Sequence, residues 1–487
     1  MGIVVRQSIR NIAVTSIGFL LGALNTLFLF TNFMDKHYYG LVAYLLATSA
    51  LLWPILAFGT FNTIIKFYSY YSDKIERNRF MNLMLWLPLG MALVLGSISM
   101  LFYKEVVAYF DGENDIVKPY IFSIYILAIS QTYFEIFFSW ARVKLKSVFG
   151  TVLKEIFIRA CTTILLVLYY FQILSINGFI YLLVAVYLLR LLFMAIYAFK
   201  KHDFSFEFKV PKNTVSILKY SFLILIAGSV ASLLLDLDKT MIEYYLPLGF
   251  VAQYAICGYI ANVIIVPARG MHQILYPLTA KVMNERNFEE LRLLYKKSAL
   301  NLTLICGLLF VLILTNIEQL FLLIPANYQL YLDVILILCL AKLSDAMVGN
   351  NNAIIYSSDY YRYVLVLGVA TVIIAVVCNI FFIPVKGISG AAIATGIAIA
   401  LYNLSKLGVV YLKFKVHPFS FRSLYSLVLI VLCTSLFYFW NFHFHPVLNI
   451  GLKSFLICLT YIILLYITSV SPDIKEYMTI MFKRKSL

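Results

Sequence analysis

Tyr39-Gly40-Leu41-Val42-Ala43-Tyr44 opens one long apolar run, and Leu248-Gly249-Phe250-Val251-Ala252-Gln253-Tyr254 opens another, Gly249 following Gly40 by 209 positions. Gly178 and Gly387 keep the same offset at the heads of two further runs, and so do Arg10 and Lys219 at the ends of two more. Self-similarity at one fixed period marks a duplicated architecture. Equivalent runs are six apart, an even number, so both halves cross a membrane in the same sense and are related by an axis along its normal.

Of the 487 residues, 62% are hydrophobic and 13% charged, against roughly half and about a quarter in a soluble domain. That composition excludes a water-soluble fold. Apolar stretches of about 20 residues, enough to span a bilayer, lie near 11 to 33, 40 to 65, 80 to 103, 117 to 139, 150 to 171, 177 to 199, 214 to 235, 249 to 269, 298 to 317, 328 to 348, 363 to 383, 387 to 411, 422 to 440 and 447 to 470. The expectation is an all-α integral membrane protein of about fourteen transmembrane helices: an N-terminal six-helix lobe (1–205), a parallel C-terminal six-helix lobe (206–415), and a terminal pair with a basic tail (416–487).

Basic residues test that count, because Lys and Arg gather in short cytoplasmic loops. With both termini and every second loop placed inside, 30 of the 39 basic residues are cytoplasmic and six (Lys36, Lys104, Lys118, Lys239, Lys386, Lys453) lie outside. Arg159, Arg190 and Lys342 fall within spans. The formal charge of +16 is therefore topology. No nucleic-acid partner is expected, since a basic groove gathers its cations on one face. The seven cysteines sit singly inside apolar runs, without metal-ligand spacing, as packing residues. Arg6 stands where a myristoylation signal needs Ser or Thr. The first run is too long for a signal-peptide core, so it is expected to stay as a helix.

Two lobes in one chain suggest alternating access to a site at their interface, a transporter design. There is no phosphate-cradling Gly-x-x-x-x-Gly-Lys-[Ser/Thr] loop for ATP, so the expected drive is an ion gradient (proton or sodium), the membrane potential or the substrate's own gradient, with no cofactor.

Leu235-Asp236-Leu237-Asp238-Lys239, the Leu248-Gly249-x-Val251-Ala252-x-Tyr254 segment, Pro267, Pro277-Leu278 and Lys281 precede a basic amphipathic loop over 281–297. That loop is expected to lie on the inner leaflet. Further on comes Asn379-Ile380-Phe381-Phe382-Ile383-Pro384-Val385-Lys386-Gly387-Ile388-Ser389-Gly390-Ala391-Ala392-Ile393-Ala394-Thr395. Together these resemble the polysaccharide transporter branch of the multidrug/oligosaccharidyl-lipid/polysaccharide exporter superfamily, which includes the Wzx-type O-antigen flippases. The resemblance implies a non-enzymatic flippase that moves an undecaprenyl-diphosphate-linked glycan (O-antigen, capsule or exopolysaccharide repeat) across a bacterial inner membrane. It further implies a monomer working beside the polymerase and glycosyltransferases of its pathway, with a groove for the prenyl tail on 422–470.

A diphosphate head needs fixed cations. In the superfamily the first, second, seventh and eighth helices face the cavity, and their inner ends here carry Arg10, Lys66, Lys219 and Arg269. These four are the expected capture site, or else ordinary headgroup anchors. Arg159 lies nine residues into the fifth span, ~13 Å deep at 1.5 Å per residue, and Arg190 reaches a similar depth. Both are expected to line a cavity or to pair with Glu155 or Glu135. Lys342 and Asp345 share a helix face and are expected to neutralise each other. Asp236 and Asp238, at the outer end of the seventh span beside Lys239, are the ion-coupling candidates, with Glu135 as a third.

Two other readings stand beside this one. A multidrug cation exporter of the same superfamily would want carboxylates in its cavity, where the deepest residues here are Arg159 and Arg190. A membrane polymerase or ligase would need a sizeable basic outer loop, whereas the break at 104 to 116 holds four acids and one Lys.

Overall fold

The computed structural model describes residues 3–110, 114–144, 146–201, 205 and 209–471. The expected basic tail with Lys475, Lys483, Arg484 and Lys485, and the loop acids Asp111 and Glu113, lie outside the described residues. The chain divides into two compact units: Met1–Ala255 with Asn379–Ile388, and Ile256–Cys378 with Ser389–Leu487.

In the first unit, α1 (Ile3–Ala23) continues through a π-helical turn (Leu24–Leu29) into Phe30–Phe33. It is followed by α2 (Lys36–Ala57), α3 (Lys74–Leu101), α4 (Ile121–Arg142), α5 (Ile158–Tyr170), α6 (Ile176–Lys201), α7 (Thr214–Tyr245) and the start of α8 (Leu248–Asn262). Capping follows side-chain chemistry: Asp35 accepts from the His37 amide at the head of α2, and Asp73 from the Glu76 amide at the head of α3. Phe80, Met81 and Met84 of α3, Phe134, Phe138 and Trp140 of α4 and Met194 of α6 form a continuous apolar core. α2 ends where Phe58 and Gly59 turn left-handed, and Thr60–Phe67 resumes beyond.

The second unit holds α9 (Val266–Asn284), α10 (Phe288–Phe321), α11 (Leu332–Val348), most of α12 (Tyr361–Phe414), α13 (Phe421–Tyr438) and α14 (Pro446–Thr468). α13 and α14 pack along α10. Gly307 lets Ile430 approach so closely that an added Cβ would sit 2.2 Å from its Cδ1. Tyr461 donates to the Leu304 carbonyl at 2.9 Å, and Asn316 donates to Ser454 at 3.3 Å. The outward side chains Leu424, Val428, Val431, Phe455 and Leu459 are exposed, as helices solvated by lipid require.

Among the described residues ten helices are long and apolar enough to cross a membrane, one of them the stretch Arg362–Phe414 of 53 residues. α12 carries two of the expected runs, and its break falls at Gly387 (φ 58°, ψ −138°) rather than at 384–386. Only glycine adopts that conformation without strain. The expected runs at 150–171, 214–235 and 328–348 are helical on Val148–Val152 with α5, on α7 and on α11.

Three expectations are corrected by burial. The seventh helix does not stop near 235 but runs to Tyr245, because Asp236 and Asp238 find partners within the protein and need no water. Lys406, counted among the loop cations, lies inside α12 and is 3% exposed. Lys453, counted as an outer residue, is 1% exposed. Its ammonium donates to the Thr315 carbonyl at 2.5 Å and to Asn441 at 3.0 Å, fastening α14 to α10. Lys453→Met should therefore loosen the terminal pair and lower the unfolding midpoint of the solubilised chain, since it removes the bonds of the ammonium to the Thr315 carbonyl and to Asn441, worth about 1–3 kcal/mol. An unchanged midpoint would show that the tie adds nothing.

Candidate functional site

The two motif pieces that the sequence keeps 141 residues apart meet at one carboxylate. Asp238 on α7 is 2% exposed. Asn379 of α12 donates its amide to Asp238 Oδ1 at 2.9 Å, and the Tyr254 hydroxyl of α8 donates to Oδ2. A buried carboxylate is tolerable only when such donors replace water. Asn379 is fully buried and its Oδ1 has no hydrogen-bond partner. Asp236, two residues earlier, takes the adjacent cation: Lys239 Nζ lies 2.8 Å from its Oδ1. The Asp-x-Asp-Lys segment thus divides into a self-paired Asp236 and an inward Asp238 held by two other helices.

The repeat meets itself at the same place. An alanine Cβ at Gly40 would lie 1.9 Å from the Leu248 carbonyl oxygen, so the heads of α2 and α8 touch backbone to backbone. Lys36 lies along Gly249 and over the Phe250 ring at 5.6 Å. Farther along α7, Gly59 meets the Ser221 carbonyl, and Thr63 bonds Ser221 at 2.8 Å. Glu243, in the turns of α7 beyond the apolar stretch, is 3% exposed. Its Oε2 has no hydrogen-bond partner, while Asn114 donates to its backbone carbonyl at 2.8 Å. Charge patterning alone did not single out this buried carboxyl.

The expected intramembrane cations behave differently from one another. Arg159 pairs with Glu155 at 3.0 Å, and its guanidinium lies where a Cβ at Gly18 would meet it at 2.9 Å. Glu135, 7% exposed, is taken by Lys154 at 2.5 Å. Arg190 is 6% exposed, with its guanidinium over the rings of Phe134 (4.1 Å) and Tyr187 (4.8 Å) and its Nε without a hydrogen-bond partner. Cation–π contacts of this kind soften the burial of charge without neutralising it.

Arg10, Lys66 and Lys219 of the first unit are exposed, as is Arg269 of the second. Lys66 Nζ sits over the ring of Tyr220, the residue that follows Lys219 on α7, at 3.8 Å. Asn11, the neighbour of Arg10, donates to Ser147 at 2.9 Å. Among the described residues no cluster of His, Cys, Asp and Glu could hold a metal ion.

The sequence profile described as Polysaccharide biosynthesis protein matches residues 4–283. The chain belongs to that family. Solved structures place this polysaccharide biosynthesis protein in a known fold. It superposes on "Lipid II flippase MurJ, inward closed conformation" with a TM-score of 0.73 at 17% identity, covering 94% of this chain and 99% of that one. An inward-facing multidrug resistance MATE family transporter of the MOP superfamily gives 0.62 at 15% identity over 84% and 98%. A MOP superfamily transporter from Pyrococcus furiosus, titled for the reverse polarity of its binding pocket, gives 0.56 at 15% over 85% and 95%. A search of curated proteins finds no match. The polysaccharide biosynthesis family and the MOP transporter fold together identify a multi-pass membrane protein.

Proposed function

We infer that this family member is a flippase that carries an undecaprenyl-diphosphate-linked oligosaccharide across a bacterial inner membrane by alternating access. One observation carries the reading: a chain of the polysaccharide biosynthesis family has the fold of a solved lipid II flippase over 94% of its length. The physical need is plain, since each unpaired sugar hydroxyl taken into hydrocarbon costs roughly 4–8 kcal/mol. The prenyl tail can remain in lipid, and the apolar groove on α13 lined by Leu427, Val428, Val431, Leu432 and Leu436 is the place proposed for it. Arg10, Lys66, Lys219 and Arg269 are proposed to receive the diphosphate. Asp238 is proposed to take the coupling ion, because Asn379 Oδ1 and the Tyr254 hydroxyl add oxygen ligands that suit a proton or sodium.

The test is glycan display in a host that depends on this chain. With Arg10 and Lys219 both changed to Gln, display should fall about tenfold or more, as two lost charged contacts imply, while the lipid-linked repeat accumulates facing the cytoplasm. Normal display in the double variant would remove the capture site. Normal display after deletion of the chain, with cationic dye export lost instead, would move the assignment to the multidrug reading.

A further inference from the structure

An apolar groove of about 630 Å³ runs between α4 and α6, wholly within the first unit, with Tyr133 and Phe137 on one wall and the stretch of α6 from Ala185 to Ala195 on the other. The Tyr133 hydroxyl donates to the Leu85 carbonyl of α3 at 3.0 Å, so its polar group is spent and the lining is hydrocarbon. Ten residues of α6 cover ~15 Å at 1.5 Å per residue, about half of the ~30 Å hydrocarbon core of a bilayer. The groove is one leaflet deep. It lies toward the C-terminal end of α6, which the basic-residue count places inside, and Leu188, Leu189 and Leu192 are exposed along it.

Rings and then charge mark the inner end. Phe137 lies 5.4 Å from Phe199 and 6.3 Å from Trp140 between centroids, an aromatic closure of the kind found at headgroup level. Lys144, two residues past α4, follows Phe137 by seven positions, and Lys200, in the last turn of α6, follows Leu189 by eleven. Those intervals are close to two and three turns of 3.6 residues, so each lysine continues the stripe of its own wall. Both are exposed. Arg142 is engaged elsewhere, with its guanidinium over the Phe138 ring at 3.9 Å.

The two features together choose the occupant. A purely apolar groove accepts any alkyl chain, whereas one that ends on two exposed cations favours a chain with an anionic head. Its depth fits one acyl chain of a single leaflet; the undecaprenyl tail, for which α13 is proposed, is far longer.

We propose that the groove between α4 and α6 binds an anionic phospholipid of the cytoplasmic leaflet, one acyl chain lying against Tyr133, Phe137 and Ala195 and the phosphate held by Lys144 and Lys200. The site does not depend on the flippase reading.

The experiment is native mass spectrometry of the full chain in mild detergent, titrated with phosphatidylglycerol, with phosphatidylcholine of the same acyl chains, and with undecaprenyl phosphate. Phosphatidylglycerol should be retained in preference to phosphatidylcholine. Lys144→Gln with Lys200→Gln should weaken its binding about 25-fold, about fivefold for each cation near a membrane surface, and leave phosphatidylcholine unchanged. Lys209→Gln with Lys212→Gln, equally exposed on the segment before α7, should change little. Ala195→Trp should displace both phospholipids by filling the groove. The lysine positions are on the surface, so that arm decides the matter even if Ala195→Trp does not accumulate. The site is overturned if the two phospholipids are retained alike, if the preference survives loss of Lys144 and Lys200, or if the control pair costs as much. It is equally overturned if undecaprenyl phosphate outcompetes phosphatidylglycerol, which would give the groove to the prenyl tail. Glycan display plays no part in this readout, so failure here leaves the transporter reading as it stands.

Discussion

Gly40→Ala is expected to prevent accumulation of the folded chain, whereas Gly249→Ala, at the equivalent position of the repeat, should be nearly silent. The new methyl at Gly40 would stand 1.9 Å from the Leu248 carbonyl oxygen and 2.5 Å from its carbon. Overpacking against side chains costs typically 1–3 kcal/mol because rotamers yield. Here the struck atoms are backbone at the head of another helix, so relief requires α2 and α8 to separate, and the cost should lie at or above the top of that range. At Gly249 the nearest atoms are the Lys36 methylenes, from 3.4 Å outward, an ordinary contact with a flexible stem. Yield and monodispersity in mild detergent measure both. Equal behaviour of the two variants would refute the backbone contact.

Asp238→Asn is expected to leave a foldable chain that no longer transports. The substitution places an amide where the Tyr254 hydroxyl and the Asn379 amide both donate, so one donor loses its acceptor at a cost of about 1–3 kcal/mol. A protein can survive that. A transporter that must bind and release a cation at the carboxylate cannot, and glycan display should fall by about 2 orders of magnitude if ion binding is obligatory in the cycle. Asp236→Asn is the control: that carboxylate is engaged by Lys239 on its own helix, an i,i+3 pair worth only about 0.2–0.5 kcal/mol, and display should be retained. Full display in Asp238→Asn would remove Asp238 from coupling.

The two expectations show where linear reading stops. Asp236 and Asp238 look alike in a polar stretch after an apolar run, and the sequence offers both equally as ion-coupling candidates. Helical geometry turns them to different faces, and only one meets α8 and α12. Asn379 and Asp238 both stood in quoted motifs, yet nothing in their spacing said that one donates to the other across 141 residues. Lys406 and Lys453 were placed by charge at loop ends. Each proved buried because a nearby ring, carbonyl or amide stabilises its charge, and such partners come from other helices.

By itself the sequence determined that this is a helical membrane protein with a duplicated pattern, since apolar length and the period of 209 are properties of the chain as a line. Tertiary structure alone decided which copy of a repeated residue matters. Gly40 is a backbone contact and Gly249 is not; Gly387 turns at φ 58° while Gly178 has no such constraint. The reason is physical: bilayer solvation acts on each residue according to its own polarity, whereas close approach and hydrogen bonding depend on which atoms of distant helices share a few ångströms of space.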